Sequence, residues 1–251
     1  MKPLNLDDVR EYASTNIEYF YQCRIASLKQ LKLNRLLQRN PYLFGSKDIL
    51  IAWDLMEDLL TRFLTSSEDK YFTNFLKGLA FFVADKTCNA RKSAMPGVDL
   101  EFVNHGTYYI VSVKSGLNWE NSSRHRKFVQ GLGKAASQVR QEQVTLAVQP
   151  VLGICYGKMH TTNTPDGYLK VVGRNFWYLI SESETLYTDI IEPIGYRIRE
   201  YIDTFDLKDS GILNRFTKEF MEKFCNDTGT IDWLKVVTFN SGNYDLEELS
   251  Q

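Results

Sequence analysis

VDLEFVNHGTYYIVSVKSG, residues 98–116, holds two apolar-rich runs on either side of Asn104-His105-Gly106. Successive side chains on a strand point to opposite faces, so this alternating pattern predicts a hairpin. With His105-Gly106 as a two-residue turn, Asn104 faces Thr107 and the pairing runs back from there. Val98, Leu100 and Phe102 then lie opposite Val113, Val111 and Tyr109, which makes one face apolar. A slip by one residue would mix apolar and charged positions on both faces, so burial holds this register. The other face sets Asp99 across from Ser112, Glu101 across from Ile110, and Lys114 diagonal to Asp99. Cross-strand and diagonal neighbours are close enough to interact. Two carboxylates and an ammonium therefore converge on one patch.

That patch has two readings. Carboxylate oxygens suit Mg²⁺, and a divalent cation can polarise a phosphate and generate hydroxide. A lysine beside it can orient or deprotonate the attacking water, or stabilise charge in the transition state. The plainer reading is a cross-strand ion pair, worth ~0.2–1 kcal/mol if exposed.

The rest of the sequence narrows the class. The chain has 251 residues, 43% hydrophobic and 24% charged, as expected of a soluble globular protein with a sizeable core. No apolar run approaches the ~20 residues needed to cross a bilayer. The opening MKPLNLDDVREY lacks the apolar core of a secretory signal. Cys23, Cys88, Cys155 and Cys225 are scattered without a CxxC pair, so reduced thiols in a cytoplasmic protein are expected. Net charge is only −1, yet Lys114, Arg124, Arg126, Lys127, Lys134 and Arg140 follow one another with Glu120 as the single acid among them. A local positive stripe can attract phosphates within a near-neutral protein. It can also be a solvated helix face.

Periodicity predicts helices over the first ~40 residues, from a cap at Asp7 to a break at Asn40-Pro41. A second helix is expected from a cap at Ser46, with Glu57 on its polar face, and a third from about Glu68 to Asp85. SGLNWENSS begins as a loop and passes into a helix at about Ser123, in spite of Gly131 and Gly133, which could admit a close partner backbone. VTLAVQPVLGICYG predicts a buried strand interrupted at Pro150. YLKVVG and FWYLI predict two short strands, followed by helices at about 184–203 and 208–225 and an acidic, frayed tail. No repeat or linker is evident, so one domain over 1–251 is expected: a helical part at 1–90, a sheet core at 91–182, and C-terminal helices and tail at 183–251. Helices, a hairpin, a helix and further strands make an α/β fold with a mixed sheet.

Pro96-Gly97-Val98-Asp99, followed by Ser112-Val113-Lys114, resembles the PD-(D/E)XK nuclease signature. PGVDLEF, SVKSGLNWENSS, NFWYLISESETLYTDIIEPIGYR and the upstream NPYLF together resemble the PmeII-type group of type II restriction endonucleases, over about residues 40–200. The resemblance implies a restriction-endonuclease-like fold with the Asp99–Lys114 hairpin as its catalytic edge. It also implies magnesium-dependent (Mg²⁺, with Mn²⁺ as substitute) cleavage of double-stranded DNA at a short palindromic site, by a homodimer paired with a cognate methyltransferase. Asp99 matches the first acid and Lys114 the lysine. Ser112 stands where the second acid is usual, and a hydroxyl does not replace a carboxylate's charge. Glu101, on the same face as Asp99, is the expected substitute and second metal ligand, with Glu57 and Glu120 as alternatives. Other outcomes on this core are a repair or mobile-element nuclease, or a silent DNA-binding module. In the following segment, Asn118, Asn121, Ser122 and Ser123 suit phosphates or base edges, and Trp119 can stack or brace the loop. Arg124, Arg126 and Lys127 are candidate backbone contacts, with Gln138, Arg140 and Gln141 as base readers. Helix capping by Ser122 or Ser123 is compatible with this, since a helix N-terminus also takes phosphate. GLGKAA lacks Walker A spacing, and His105, His125 and His160 form no metal motif, His105 reading as a turn residue.

Overall fold

The computed structural model describes residues 1–119, 122–195 and 199–241, and the side chains of all of these except 199–209. The chain is mixed α/β, with a helical N-terminal region and a six-stranded sheet flanked by helices. It divides into two compact units, Met1–Phe20 with Phe72–Ile198, and Tyr21–Tyr71 with Arg199–Gln251.

The first unit holds the sheet. Its strands are β1 (Arg91–Lys92), β2 (Leu100–Asn104), β3 (Thr107–Lys114), β4 (Ala147–Ile154), β5 (Thr162–Asn163) and β6 (Leu169–Val172). Their order is β1-β2-β3-β4-β6-β5. β2 and β3 pair antiparallel with Asn104 opposite Thr107, Phe102 opposite Tyr109 and Leu100 opposite Val111, the register that burial predicts. His105 and Gly106 both have positive φ, 46° and 74°, as a primed hairpin turn requires. The hairpin is not the sheet edge, however. Arg91-Lys92 adds an outer strand against Glu101 and Leu100, and β4 joins β3 in parallel on the other side.

The alternation also ends earlier than expected. Val98 lies outside β2, after a turn in which Gly97 has φ +83°. It packs with Tyr108, Ile110 and Leu132 rather than with the Leu100–Phe102 face. Pro150 does not interrupt β4 but pairs with Ile110. β6 joins β4 only from Val151 onward, so Pro150 stands where β4 has a single neighbour and its missing N–H is tolerated.

Helix α5 (Ser122–Glu142) covers one face of the sheet. Leu132, Ala135, Ala136 and Val139 recur at helical spacing and are buried, which leaves its charged residues outside. Gly131 brings the helix close to the Pro96 carbonyl; a Cβ there would sit 3.7 Å from it. α6 (Arg174–Ser181) includes the FWYLI segment, so that segment is a helix and not a strand. Gly173, with φ +57°, turns the chain out of β6, and Phe176, Trp177 and Ile180 form the buried stripe of the helix. Phe176 packs over Gly153 so closely that a Cβ there would come within 2.3 Å of its ring.

The second unit is helical. Its core joins Leu28, Leu33 and Leu36 to Leu55, Met56 and Leu59, and to Phe216 and Phe220. α1 (Leu6–Gln30) begins after Asn5, whose side chain accepts from Asp7 N–H at 2.9 Å, so Asn5 and not Asp7 is the cap. α2 (Leu33–Leu36) and α3 (Pro41–Gly45) follow, with Asn40 capping α3, Pro41 in its first turn and Ser46 at its end. α4 (Ala52–Cys88) is one continuous helix where two were expected. Nothing from Ser66 to Asp69 obliges a helix to stop, since neither Pro nor Gly occurs there. α7 (Leu186–Asp189) and α8 (Ile191–Gly195) belong to the first unit, α9 (Arg199–Phe224) and α10 (Trp233–Phe239) to the second. The acidic tail lies outside the described residues, and among those described no helix is long and apolar enough to cross a membrane.

Candidate active site

Asp99 directly precedes β2 and is tied to β3 from both ends. Its backbone N–H donates to the Val111 carbonyl at 2.8 Å. Its Oδ2 accepts from Val113 N–H at 2.6 Å and from the Ser112 hydroxyl at 3.5 Å. Its Oδ1 accepts from the Lys77 ammonium at 3.0 Å. The carboxylate is therefore fixed by the hairpin backbone on one side and by a cation from α4 on the other. Lys77 is the one charged residue between Tyr71 and Ala84, and its isolation in that apolar run is the signal that points to it. One turn earlier on α4, the Thr73 and Ser115 hydroxyls are 2.9 Å apart, which ties the helix to the segment after β3.

Lys114 ends β3. Its ammonium makes no hydrogen bond or ion pair among the described residues and lies 5.1 Å from the Trp119 ring. Burial is the main influence lowering its pKa. The neighbouring Lys77 charge acts in the same direction, and Asp99 opposes both. A lysine so placed loses its proton more readily than one in water, which suits it to proton abstraction as well as to charge stabilisation.

Ser112 is fully buried beside Asp99. Glu101 pairs with Ile110 as expected, and its carboxylate is engaged by Arg91 and Tyr108. Glu101 is only 4% exposed, and its carboxylate accepts from Arg91 Nε at 3.1 Å, from Arg91 Nη2 at 2.9 Å, and from the Tyr108 hydroxyl. Burial by itself would raise its pKa, but hydrogen bonds from Ser93, Tyr108 and Arg91 outweigh that and hold it below its ordinary value. Arg91, brought in by β1, is the partner that hairpin reasoning does not supply. Glu57 is exposed and lies in the second unit, while Glu120 and Asn121 lie outside the described residues.

Among the described residues, no three His, Cys, Asp or Glu side chains gather into a metal-binding group. The donor set is still compatible with Mg²⁺, which is often held by one or two carboxylates together with substrate phosphate and water. Asp99, partly exposed and ion-paired to an ammonium that can be displaced, is the residue that would hold it.

The nucleic-acid candidates divide in two. Asn118, Ser122, Ser123, Arg124, Arg126, Lys127, Gln138, Arg140 and Gln141 are all exposed. Arg126, Lys127, Lys134 and Arg140 make no ion pair among the described residues, so their charges face solvent unneutralised. Gln138 donates within its own helix to Glu142 at 3.0 Å. Trp119 is half-buried, in edge contact with Phe128 at 5.1 Å, which itself meets Tyr168 edge-on at 5.3 Å. Trp119 thus braces the loop beside Lys114.

A protein-family model described as type II restriction endonuclease EcoO109I matches residues 7–201, more than three quarters of the chain. No curated protein matches it. The matched span contains Lys77, the whole hairpin and α5.

Proposed function

We infer the chemistry from one premise: the chain belongs to the type II restriction endonuclease EcoO109I family. It is accordingly a site-specific deoxyribonuclease with a restriction-endonuclease-like fold. Beyond this we propose Mg²⁺-dependent hydrolysis of double-stranded DNA at a short palindromic site by a homodimer, with Mn²⁺ able to substitute. A two-fold dimer suits such a site because each active centre meets an equivalent strand. We further propose that 1–251 acts as one nuclease in the cytoplasm, protected by a cognate methyltransferase. Within the family, NPYLF, PGVDLEF and SVKSGLNWENSS favour the PmeII-type group.

The observation that carries this reading is the coupling of Asp99 and Lys114 across the ordered hairpin, with Lys77 beside both. In the reaction, a water oxygen bonds to phosphorus, one P–O bond to deoxyribose breaks, and the water gives up a proton. A divalent cation, when bound, supplies Lewis-acid polarisation of the phosphate. Asp99 would hold that cation, Lys114 orients or deprotonates the water, and Lys77 sets the Asp99 carboxylate. The stripe of Arg126, Lys127, Lys134 and Arg140 takes the DNA backbone. Glu101 we assign to fixing the outer strand through its two hydrogen bonds from Arg91.

Incubation with plasmid DNA tests the reading. Discrete fragments with Mg²⁺ or Mn²⁺, none with Ca²⁺ and none after chelation are expected; Ca²⁺ is larger and more flexibly coordinated. Unchanged cutting after exhaustive chelation would refute the metal dependence. Binding without cutting under every metal would instead make the chain a silent DNA-binding module.

A further inference from the structure

In the second unit, two helical stripes face the same space. Cys23, Ala26, Ser27 and Gln30 of α1 are spaced i, i+3, i+4, i+7, and so are Phe63, Ser66, Ser67 and Lys70 of α4; both line a groove of about 700 Å³. The segment joining α1 to α3 lines it as well. There Leu33, Leu36 and Leu37 are buried in the helical core, which leaves Arg35, Gln38 and Arg39 outside and on the groove wall.

The electrostatics of this groove are one-sided. Arg35, Arg39 and Lys70 line it and no carboxylate does. All three cations are exposed, and none makes an ion pair among the described residues; Lys70 only overlies the Tyr71 ring at 5.8 Å. The chain as a whole carries a net charge of −1, so this surplus does not follow from a basic composition. Of the other polar groups, Ser27, Ser66, Gln30, Gln38 and Tyr71 can donate hydrogen bonds, while the Ser67 hydroxyl donates to the Leu64 carbonyl at 2.8 Å. Guanidinium, ammonium, hydroxyl and amide donors without a nearby acid match phosphodiester oxygens.

We propose that this groove is a second DNA-contacting surface, which grips the phosphate backbone through Arg35, Arg39 and Lys70 without reading sequence. The proposal rests on the nuclease reading above.

The test is the triple variant Arg35→Gln, Arg39→Gln, Lys70→Gln, titrated into a fluorescent random-sequence duplex in chelator across a salt series. A control variant removes the same charge elsewhere, at Arg10, Lys218 and Lys235. Each phosphate that the protein no longer neutralises should lower the slope of log K against log[salt] by about 1. At 0.1 M salt, the counterions released at one such phosphate are worth about 8-fold in affinity, and those at all three about 500-fold. The triple variant should bind more weakly by that factor, and the control should keep the parent's slope. A triple variant with the parent's affinity and slope overturns the proposal, as does a control that weakens binding equally. Weakening confined to the cognate site also overturns it, because a grip on the backbone acts on every sequence. If the parent neither binds nor cuts duplex DNA, the nuclease reading itself falls. Should the triple variant not fold, the single variants replace it, each expected to lower the slope by about 1.

Discussion

Replacing Lys114 with alanine separates chemistry from packing, because the structure gives its ammonium little to do in the ground state. Its ring partner is the Trp119 face at 5.1 Å, a cation–π interaction of about 0.5–2 kcal/mol at a half-buried site. Against that, burial and Lys77 already disfavour the charge, so its removal relieves part of the cost. Folding stability should therefore change by less than about 2 kcal/mol. Binding weakens by at most the neutralisation of one phosphate, about 8-fold at 0.1 M salt. The rate is a different matter, since an interaction made mainly in the transition state affects turnover rather than binding. A positioned base or charge stabiliser contributes about 10²- to 10⁴-fold, or about 2.7–5.5 kcal/mol of barrier. Single-turnover cleavage, gel-shift binding and a thermal melt on one preparation measure all three quantities. Lys114→Arg then separates the two roles, because a guanidinium stabilises charge but does not give up its proton near neutral pH. A Lys114→Ala protein that cuts at a tenth of the parent rate or faster would refute the catalytic assignment.

Three further outcomes follow from the same geometry. Glu101→Gln should destabilise the protein by about 1–3 kcal/mol, since it weakens charge-assisted bonds to Arg91 and Tyr108, with the cleavage rate per folded molecule within tenfold of the parent; a rate more than a hundredfold lower would make Glu101 the second acid after all. Lys77→Ala removes a cation that lowers the Lys114 pKa, so that pKa should rise towards 10.5 and the pH–rate profile, if it requires neutral Lys114, should move to higher pH, with Lys77→Arg restoring the parent profile. Gly153→Ala should cost about 1–3 kcal/mol in denaturant unfolding, because the added Cβ falls 2.3 Å from the buried Phe176 ring and no room exists for that ring to retreat without repacking.

The hairpin was legible because two local signals agreed. Alternation settled which side chains share a face, and Asn-His-Gly settled where the chain reverses. That agreement holds from Leu100 to Val111, while Asp99 lies just before β2, where the alternation has already ended. Lys77 was not legible, because its bond to Asp99 joins a helix to the residue before β2 across 22 residues, and nothing local specifies it. Glu101 shows the same limit from the other side. Its face could be read from the register, but its partner comes from a two-residue strand too short to carry a periodic signal. FWYLI misled for a different reason. Its aromatic and branched residues favour strands in isolation, yet the turn at Gly173 and burial of Phe176, Trp177 and Ile180 favour a helix. Tertiary packing overrode propensity there.

The charges at the site explain how it can work with serine in the second acid's place. Two carboxylates and one lysine would carry a net charge of −1, which attracts a dication but repels the phosphodiester until the metal arrives. Among the described residues, this site has Asp99 with Lys77 and Lys114, a net charge of +1. Attraction to phosphate then needs no metal, while a single carboxylate holds a cation weakly by itself. Substrate phosphate would complete the ligand set of a cation held by Asp99, so DNA binding should strengthen metal binding, and by linkage metal should strengthen DNA binding equally. A buried, neutral hydroxyl at Ser112 steadies Asp99 without adding a charge that the incoming phosphate would have to overcome.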